Sequence, residues 1–318
     1  NSIEFDRAKV SIIIPTYNRM DLLDTCIQSI HFQSYKNWEI IIVDDNSNDG
    51  TSPIIKKKYP DIRLLKNKVN KGPSFAKNWG ALNAIGEYLL FLDSDSELIK
   101  PDSMRVMINI LKNKEIGTVG GEMNSVYPDI VFGQRFKNVQ NGTLAYVLAD
   151  KHSEPKECDF VPTSNCMIRR RVFYELGGFD PYFIYPGEDI DFGYRLTKRG
   201  YKNIVCFECG ALHKFSEASR IPREYAHYKT TTRFLIKHFG TKNWLIIPYE
   251  DAKQSVLMPL FKFLHGKQPE KPSMRPRYTL LRKYTTILKS PYFLLKAFAW
   301  NLINLRQTLK SRNRNYQT

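Results

Sequence analysis

Apolar residues along this chain fall into short unbroken runs, separated by stretches where they recur every third or fourth position. Val10-Ser11-Ile12-Ile13-Ile14, Glu39-Ile40-Ile41-Ile42-Val43 and Tyr88-Leu89-Leu90-Phe91-Leu92 lack alternation and are too short for helices of their own. Runs of that kind predict strands covered on both faces. Pro15 is expected to stop the first, and Ile62-Arg63-Leu64-Leu65 adds a short strand. Between them, Asp21 to Ile30 places Leu22, Leu23, Cys26 and Ile30 on one helical face. Gly50-Thr51-Ser52-Pro53 opens a helix towards Lys58, and Lys71-Gly72-Pro73 opens another that presents Phe75, Trp79, Leu82 and Ile85.

The same alternation continues. A helix is expected from Asp102 to Asn113, then one strand from Gly117 to Met123. Phe132 to Asp150 shows no legible period. Ser164 to Ile168 reads as a strand feeding a helix from Arg169 to Leu176, closed by Gly177-Gly178. Glu188 to Lys198 reads as a helix with acids in its first turn and Gly200 as its stop, and Asn203 to Phe207 as a strand. Strands alternating with helices of these lengths predict an α/β fold with a mostly parallel sheet.

Composition adds an asymmetry. The chain has 318 residues, 42% of them apolar, and a net charge of +16. From Lys253 onward there are 14 Lys/Arg and a single acid, Glu270, so the body is close to neutral and the tail strongly basic. Such a tail seeks anions, either nucleic-acid phosphates or anionic lipid heads. The five cysteines (Cys26, Cys158, Cys166, Cys206, Cys209) are odd in number and sparse, unlike a disulfide framework, and suit a reducing compartment. Cys206 and Cys209 have a zinc-like spacing but no second pair. The chain opens Asn1-Ser2-Ile3 rather than with Met, as an excised or processed segment does, and shows no secretory signal. No uncharged apolar run approaches the roughly 18–20 residues of a membrane span.

The candidate chemistry sits at the ends of elements. Asp44-Asp45 and Asp93-Ser94-Asp95 close two strand-like runs, Glu188-Asp189 with Asp191 opens a helix, and His213 follows the last strand. Ligands bind at strand ends in open α/β sheets. Neighbouring carboxylates repel and burial penalises both, which a hard divalent cation relieves while accepting phosphate oxygens. Each cluster alone also has a plain reading: a cap at Asp95 or Ser96, turn residues at Asp44 and Asp45, dipole partners at Glu188 and Asp189, a loop histidine.

Order and spacing decide between these readings. Val10 to Arg19 (Val-Ser-Ile-Ile-Ile-Pro-Thr-Tyr-Asn-Arg), Ile42-Val43-Asp44-Asp45-Asn46-Ser47, Asn70-Lys71-Gly72 with Ala76-Lys77-Asn78, and Gly86-Glu87-Tyr88 running into Asp93-Ser94-Asp95 follow one another. Gly177-Gly178-Phe179-Asp180 and Gly187-Glu188-Asp189-Ile190-Asp191 complete the series. Across residues 8–220 the chain resembles family 2 glycosyltransferases of the GT-A fold. That resemblance implies a Rossmann-like, mostly parallel sheet flanked by helices in a catalytic domain at 8–225; outside the match, 226–318 reads from its own residues as a basic, mostly helical extension. Residues 8–115 would take the donor and 116–225 the acceptor.

The implied activity moves a sugar from a nucleotide-sugar donor, UDP-linked in the first instance, to a hydroxyl of a glycan or lipid-linked acceptor. By resemblance, Asp45 reads the nucleobase, Pro15, Tyr17 and Asn18 frame its pocket, and Lys77 and Ser94 belong to the donor site. Asp95 ligates a divalent metal, and Asp93 reaches the ribose or the metal. His213 completes the metal site, and its borderline imidazole favours Mn²⁺ over Mg²⁺. Asp189 is the expected general base and Glu188 its runner-up, in an inverting direct displacement. The family commonly has Arg where Lys77 stands, a point charge in place of a planar fork. No Gln-x-x-Arg-Trp element follows residue 213, which points to single addition, not polymer synthesis.

Loops 125–165 and 179–187, with Tyr127, Phe132, Arg135, Tyr182 and Tyr185, are expected to shape the acceptor pocket or a packed lid. Beyond residue 220, Tyr228 to Phe239 reads as a helix and Lys267 to Pro276 as a linker. After Ser290-Pro291, Leu294, Leu295, Phe298, Leu302, Leu305 and Leu309 form one stripe with basic flanks. This predicts a helix lying on an anionic membrane, with a cytoplasmic protein held at the inner face; packing on the catalytic body or a partner is the alternative. Three other functions fit the sequence less well. Nucleic-acid binding lacks stacking aromatics or a module among the basic residues. A catalytically inactive sugar-binding relative would have lost acids that are present here. Nucleotidyl transfer expects a Gly- and Lys/Arg-rich loop where Pro15-Thr16-Tyr17-Asn18 stands.

Overall fold

The computed structural model describes residues 8–124, 127–138, 143–183, 187–214, 223–240, 295–296 and 298–311. In chain order the first half runs β1 (Val10–Thr16), α1 (Met20–His31), β2 (Trp38–Asp44), α2 (Thr51–Lys58), β3 (Arg63–Lys66), α3 (Pro73–Leu82), β4 (Tyr88–Leu92), β5 (Ser96–Leu98) and α4 (Ser103–Leu111). The second continues with β6 (Ile116–Gly120), β7 (Glu122–Asn124), β8 (Tyr127–Asn138), β9 (Thr143–Asp150), β10 (Lys156–Cys158), β11 (Asn165–Arg169), α5 (Arg170–Glu175), α6 (Glu188–Lys198), β12 (Lys202–Val205) and β13 (Ala211–His213). Among the described residues, α7 (Arg223–Phe239) and α8 (Leu305–Lys310) follow.

Eight strands form one sheet in the order β10-β12-β6-β11-β4-β1-β2-β3, and five form a second, β5-β13-β7-β8-β9. In the large sheet β1 pairs in parallel with both β2 and β4, so their carboxyl ends share one edge. The runs are apolar throughout because both faces are covered. Ile12, Ile14, Ile40, Ile42, Leu90 and Leu92 pack on Leu23, Cys26 and Ile30 of α1 and on Met104, Met107 and Leu111 of α4. Ile13, Ile41, Val43, Leu89 and Phe91 turn to the other face, against Ala76 of α3, Val172 and Phe173 of α5, and Phe192 and Leu196 of α6. On that face Phe91, Phe173, Phe179 and Phe192 form a cluster with ring centroids 4.9–5.5 Å apart.

Two expectations need correction. Pro15 does not stop β1; it pairs with Val43 inside the strand. The β4 ladder has already ended at Ile13. The Thr16 carbonyl accepts from Asp45 N on the β2 side, so its neighbour Pro15 faces the other way, where no ladder bond is due. The run from Gly117 to Met123 is not one strand. β6 belongs to the large sheet and β7 to the small one, and the chain changes sheets at Gly120 and Gly121, whose φ values are +155° and +128°. A Cβ on Gly120 would lie 2.2 Å from the Asn165 carbonyl oxygen, so the turn admits no side chain.

The chain divides into two compact units. The first comprises Asn1–Phe136 and Leu144–Glu217 with the last few residues, and the second Lys137–Thr143 and Ala218–Asn313. In the second unit, α7 meets residues 298–303, which are helical, and α8. Of the expected leucine stripe, Leu295, Leu302 and Leu309 are exposed and Phe298 and Leu305 half-buried, and polar side chains make the buried contacts with α7. Asn301 Nδ2 donates to the Lys229 carbonyl (3.1 Å), Arg233 donates to Thr308 Oγ1 (2.7 Å), and Asn301 and Thr308 are fully buried. Leu295, Leu302 and Ile303 are 69%, 52% and 81% exposed. Leu294 and the Lys267–Pro276 stretch lie outside the described residues. Among the described residues, no helix is long and apolar enough to cross a membrane.

Candidate functional site

The shared carboxyl edge of β1, β2 and β4 gathers the first set of predicted residues. After β1, half-buried Tyr17 and Asn18 form the loop into α1. Asn18 takes a left-handed φ of 51° and locks this loop to the one after β2. Its amide group exchanges hydrogen bonds with Asn48 at 2.8 Å each way, and its N–H donates to Ser47 Oγ. Asp44 serves that second loop by accepting from Ser47 N (2.7 Å) and the Ser52 hydroxyl.

Asp45 turns to the next loop. It accepts from Asn67 Nδ2 (2.7 Å), Lys71 N (2.9 Å) and Gly72 N (2.7 Å), and so pins the segment that leads into α3. Sequence reading missed Asn67, because nothing local marks it.

Asp93, Ser94 and Asp95 follow β4, and Ser94 and Asp95 are buried. The β5–β13 register sets His213 opposite Ser96, next to Asp95. His213 Nε2 lies 3.1 Å from Asp95 Oδ1, its Nδ1 lies 3.1 Å from Glu122 Oε2, and Arg19 pairs with the other Asp95 oxygen. One ligand atom from each of Asp93, Asp95 and His213 falls within 4.8 Å of the others. Burial raises the Asp93 carboxyl against the pull of Lys77, with Asp95 adding to the rise. Burial acts the same way on Asp95, but His213 and Arg19 outweigh it and hold Asp95 below the usual carboxylate range. Burial opposes the charge on His213, yet its bonds to Asp95 and Glu122 push it up to about 10.

Lys77, on α3, joins this cluster to α6. Its fully buried ammonium donates to Thr163 Oγ1 (2.7 Å) and Glu188 Oε1 (3.2 Å), and forms an ion pair with Asp93 Oδ1 at 3.1 Å. Burial alone would lower Lys77, but Asp93 and Glu188 raise it. Its neighbour Asn78 clamps the backbone of Phe179, accepting from its N–H (2.9 Å) and donating to its carbonyl (2.7 Å).

The three acids that open α6 have different surroundings. Glu188 is buried and accepts from Lys77 and Thr163. Asp191 is buried and paired with Arg195 at 2.9 Å, one helical turn on. Asp189 is half-buried and, among the described residues, accepts only the Ile190 N–H, at 2.8 Å. Burial and the adjacent Glu188 charge push Asp189 up to about 7.

Of the expected acceptor residues, Phe132 is buried against Tyr146 (5.6 Å between centroids) and presents no open stacking face. Tyr182 is half-buried, whereas the side chains of Tyr127, Arg135 and Tyr185 lie outside the described residues. All five cysteines are buried, and none is joined to another in a disulfide.

Comparisons with known proteins identify the family and the fold. The family model described as glycosyl transferase family 2 matches residues 11–177, more than half of the chain. The chain therefore belongs to glycosyltransferase family 2. It is 30% identical over 229 residues to the O-antigen biosynthesis protein RfbC of Myxococcus xanthus, a match covering 67% of this chain and 18% of that protein. It is 42% identical over 95 residues to the GalNAc(5)-diNAcBac-PP-undecaprenol beta-1,3-glucosyltransferase of Campylobacter jejuni, covering 29% of this chain and 31% of that one. The chain thus spans less than a third of either relative. A solved structure, the mannosyltransferase PcManGT of Pyrobaculum calidifontis in complex with GDP-Man and Mn²⁺, superposes with a TM-score of 0.58 at 16% identity. The superposition covers 93% of this chain and 87% of that one, and the shared fold is GT-A.

Proposed function

We propose that this chain is a glycosyltransferase that moves a sugar from a nucleotide-sugar donor to a hydroxyl of a glycan or lipid-linked acceptor by inverting displacement. The observation that carries the reading is a single connected site. Asp93, Asp95 and His213 stand at one end, Glu188 and Asp189 at the other, and buried Lys77 ties the two together. Residues 8–225 are read as the catalytic domain, with 8–115 for donor and 116–225 for acceptor, and 226–318 as an appended basic region.

Asn67, Lys71 and Gly72 already make four contacts with Asp45, the Lys71 N–H being shared between its two oxygens at 2.9 and 3.1 Å, so a ring N–H of the base would take the place of one half of that shared bond. Pro15, Tyr17 and Asn18 frame that position from the neighbouring strand end, and Ser94 sits between the two acids of the donor site. Lys77 reaches Asp93 and Glu188, so its part in donor binding is to hold those acids in place.

Two carboxylates and one imidazole within 4.8 Å fit a divalent cation, and the nitrogen donor suits Mn²⁺ better than Mg²⁺. Bound there, the ion would act as a Lewis acid on the leaving diphosphate. Asp189 accepts the proton of the acceptor hydroxyl as its oxygen bonds to the anomeric carbon and the bond to the diphosphate breaks. Glu188, spent on Lys77 and Thr163, is the weaker candidate for base. The Campylobacter relative is named for a PP-undecaprenol substrate, which supports a lipid-linked acceptor here. The basic tail and the exposed Leu295, Leu302 and Ile303 support attachment to an anionic membrane from the cytoplasmic side.

Isothermal titration of UDP into wild type and Asp95→Ala, with and without Mn²⁺, tests the donor site. The expected result is metal-dependent binding that the substitution abolishes. GDP and dTDP form the next arms if UDP does not bind. Failure of all three in the presence of metal would overturn the reading.

A further inference from the structure

Glu122 takes no part in any of the motifs read above, yet it stands directly behind His213. β7 and β13 run parallel with Ala211 beside Glu122, and His213, two residues on, shares the face of Ala211. Glu122 Oε2 accepts from Ser164 Oγ at 2.8 Å and lies 3.1 Å from His213 Nδ1. The opposite ring nitrogen, Nε2, is the one beside Asp95. Ser164 also ties this arrangement to the other acid, because its carbonyl accepts from Asp93 N at 3.1 Å. The Glu122 and His213 side chains are only 19% and 13% exposed, so water competes little for the bond between them.

We propose that Glu122 is a positioning residue that fixes His213 with Nδ1 as the donor and Nε2 turned towards Asp95, so that the imidazole meets a divalent cation already oriented. The proposal rests on the reading of Asp93, Asp95 and His213 as the metal-holding set. An imidazole with both nitrogens free can turn its ring or change tautomer, and either change costs a ligand. A carboxylate that accepts from one nitrogen removes both freedoms and raises the basicity of the other. Loss of such a partner typically costs about 10–100-fold in metal affinity. A plain structural ion pair would hold the two strands together but would leave the affinity alone.

The test is an EPR titration of Mn²⁺ into wild type, Glu122→Met, Glu122→Gln, His213→Ala and the Glu122→Met/His213→Ala double variant. Met fills the volume without an acceptor, and Gln restores one. Glu122→Met should weaken Mn²⁺ by about 10–100-fold, Glu122→Gln should recover most of the loss, and Glu122→Met should cost nothing further once His213 is gone. Unchanged affinity in Glu122→Met, or an additive loss in the double variant, overturns the proposal. A second measurement needs no Glu122 variant. In ¹⁵N NMR of the Mg²⁺-loaded wild type, with His213 assigned by its absence from His213→Ala, Nδ1 should carry the proton and Nε2 none. The reverse tautomer overturns the proposal even if Glu122→Met does not fold. Wild type that binds no Mn²⁺ overturns the metal reading and this proposal with it, whereas tight binding that ignores Glu122 overturns the proposal alone.

Discussion

Asp189 and Glu188 are adjacent in the sequence and unlike in their surroundings, and that contrast sets the sharpest expectation at the scale of single residues. On the proposed reading, Asp189→Asn should lower kcat by about 10²–10⁴ and leave nucleotide affinity unchanged, since the amide cannot take the proton. Steady-state kinetics beside a UDP titration checks both halves. Burial and the Glu188 charge hold Asp189 near about 7. A base works deprotonated, so kcat/KM should rise about tenfold per pH unit below that value and level off above it. A profile flat from pH 5 to 8 would remove Asp189 as the base. The same shift weakens the fold as pH rises from the ordinary carboxylate range towards about 7, because only there does the folded chain hold a proton the unfolded one has lost. The acids themselves were legible, since Asp93 and Asp95 close an apolar run and Glu188 and Asp189 open a helix. Glu122, Thr163 and Asn67 were not. Their partners lie 91, 86 and 22 residues away, and no local pattern marks a residue whose role is set at such a distance.

At the scale of elements, unbroken apolar runs announced β1, β2 and β4 because helices cover both faces of the sheet, the three-to-four spacing announced α1 and α3, and the acidic first turn with Gly200 announced α6. The switch between sheets was hidden for the same reason. Gly117 to Met123 is as apolar as a single strand, and only the backbone angles at Gly120 and Gly121 divide it. The obstruction at Gly120 is a carbonyl oxygen, not the end of a flexible side chain, so it has little room to give. Gly120→Ala should therefore destabilise the fold by at least about 1–3 kcal/mol, measured by chemical denaturation. It should also weaken nucleotide binding in the folded fraction, because β7 carries Glu122 away from this turn. A variant as stable as wild type would show that the turn can relax. The inverted burial after residue 294 was equally hard to foresee. The leucine stripe could be read from the sequence, but the structure turns the polar face of Asn301 and Thr308 inward to meet Lys229 and Arg233.

At the scale of the molecule, basic charge and exposed apolar side chains both fall in the C-terminal region, which has 14 bases and one acid from Lys253 onward. Wild type should sediment with vesicles containing anionic lipid, less so as salt rises, and weakly with neutral vesicles. Leu302→Glu with Ile303→Glu should reduce that binding several-fold and leave UDP affinity in solution intact. Equal sedimentation of wild type and variant would assign the exposed face to another partner. Assembly of the site has a consequence in time as well as in space. Arg19 and Asp95 are 76 residues apart, Lys77 and Glu188 are 111 apart, and Asp95 and His213 are 118 apart. Loop closure over such spans is entropically expensive and slow, and pairings of this kind form late. A growing chain that has emerged only as far as β4 contains the strands β1, β2 and β4, but neither α6 nor β13. On the proposed reading, Glu188, Asp189 and His213 are therefore made last, and no chemistry is possible until α6 and β13 have joined the earlier strands.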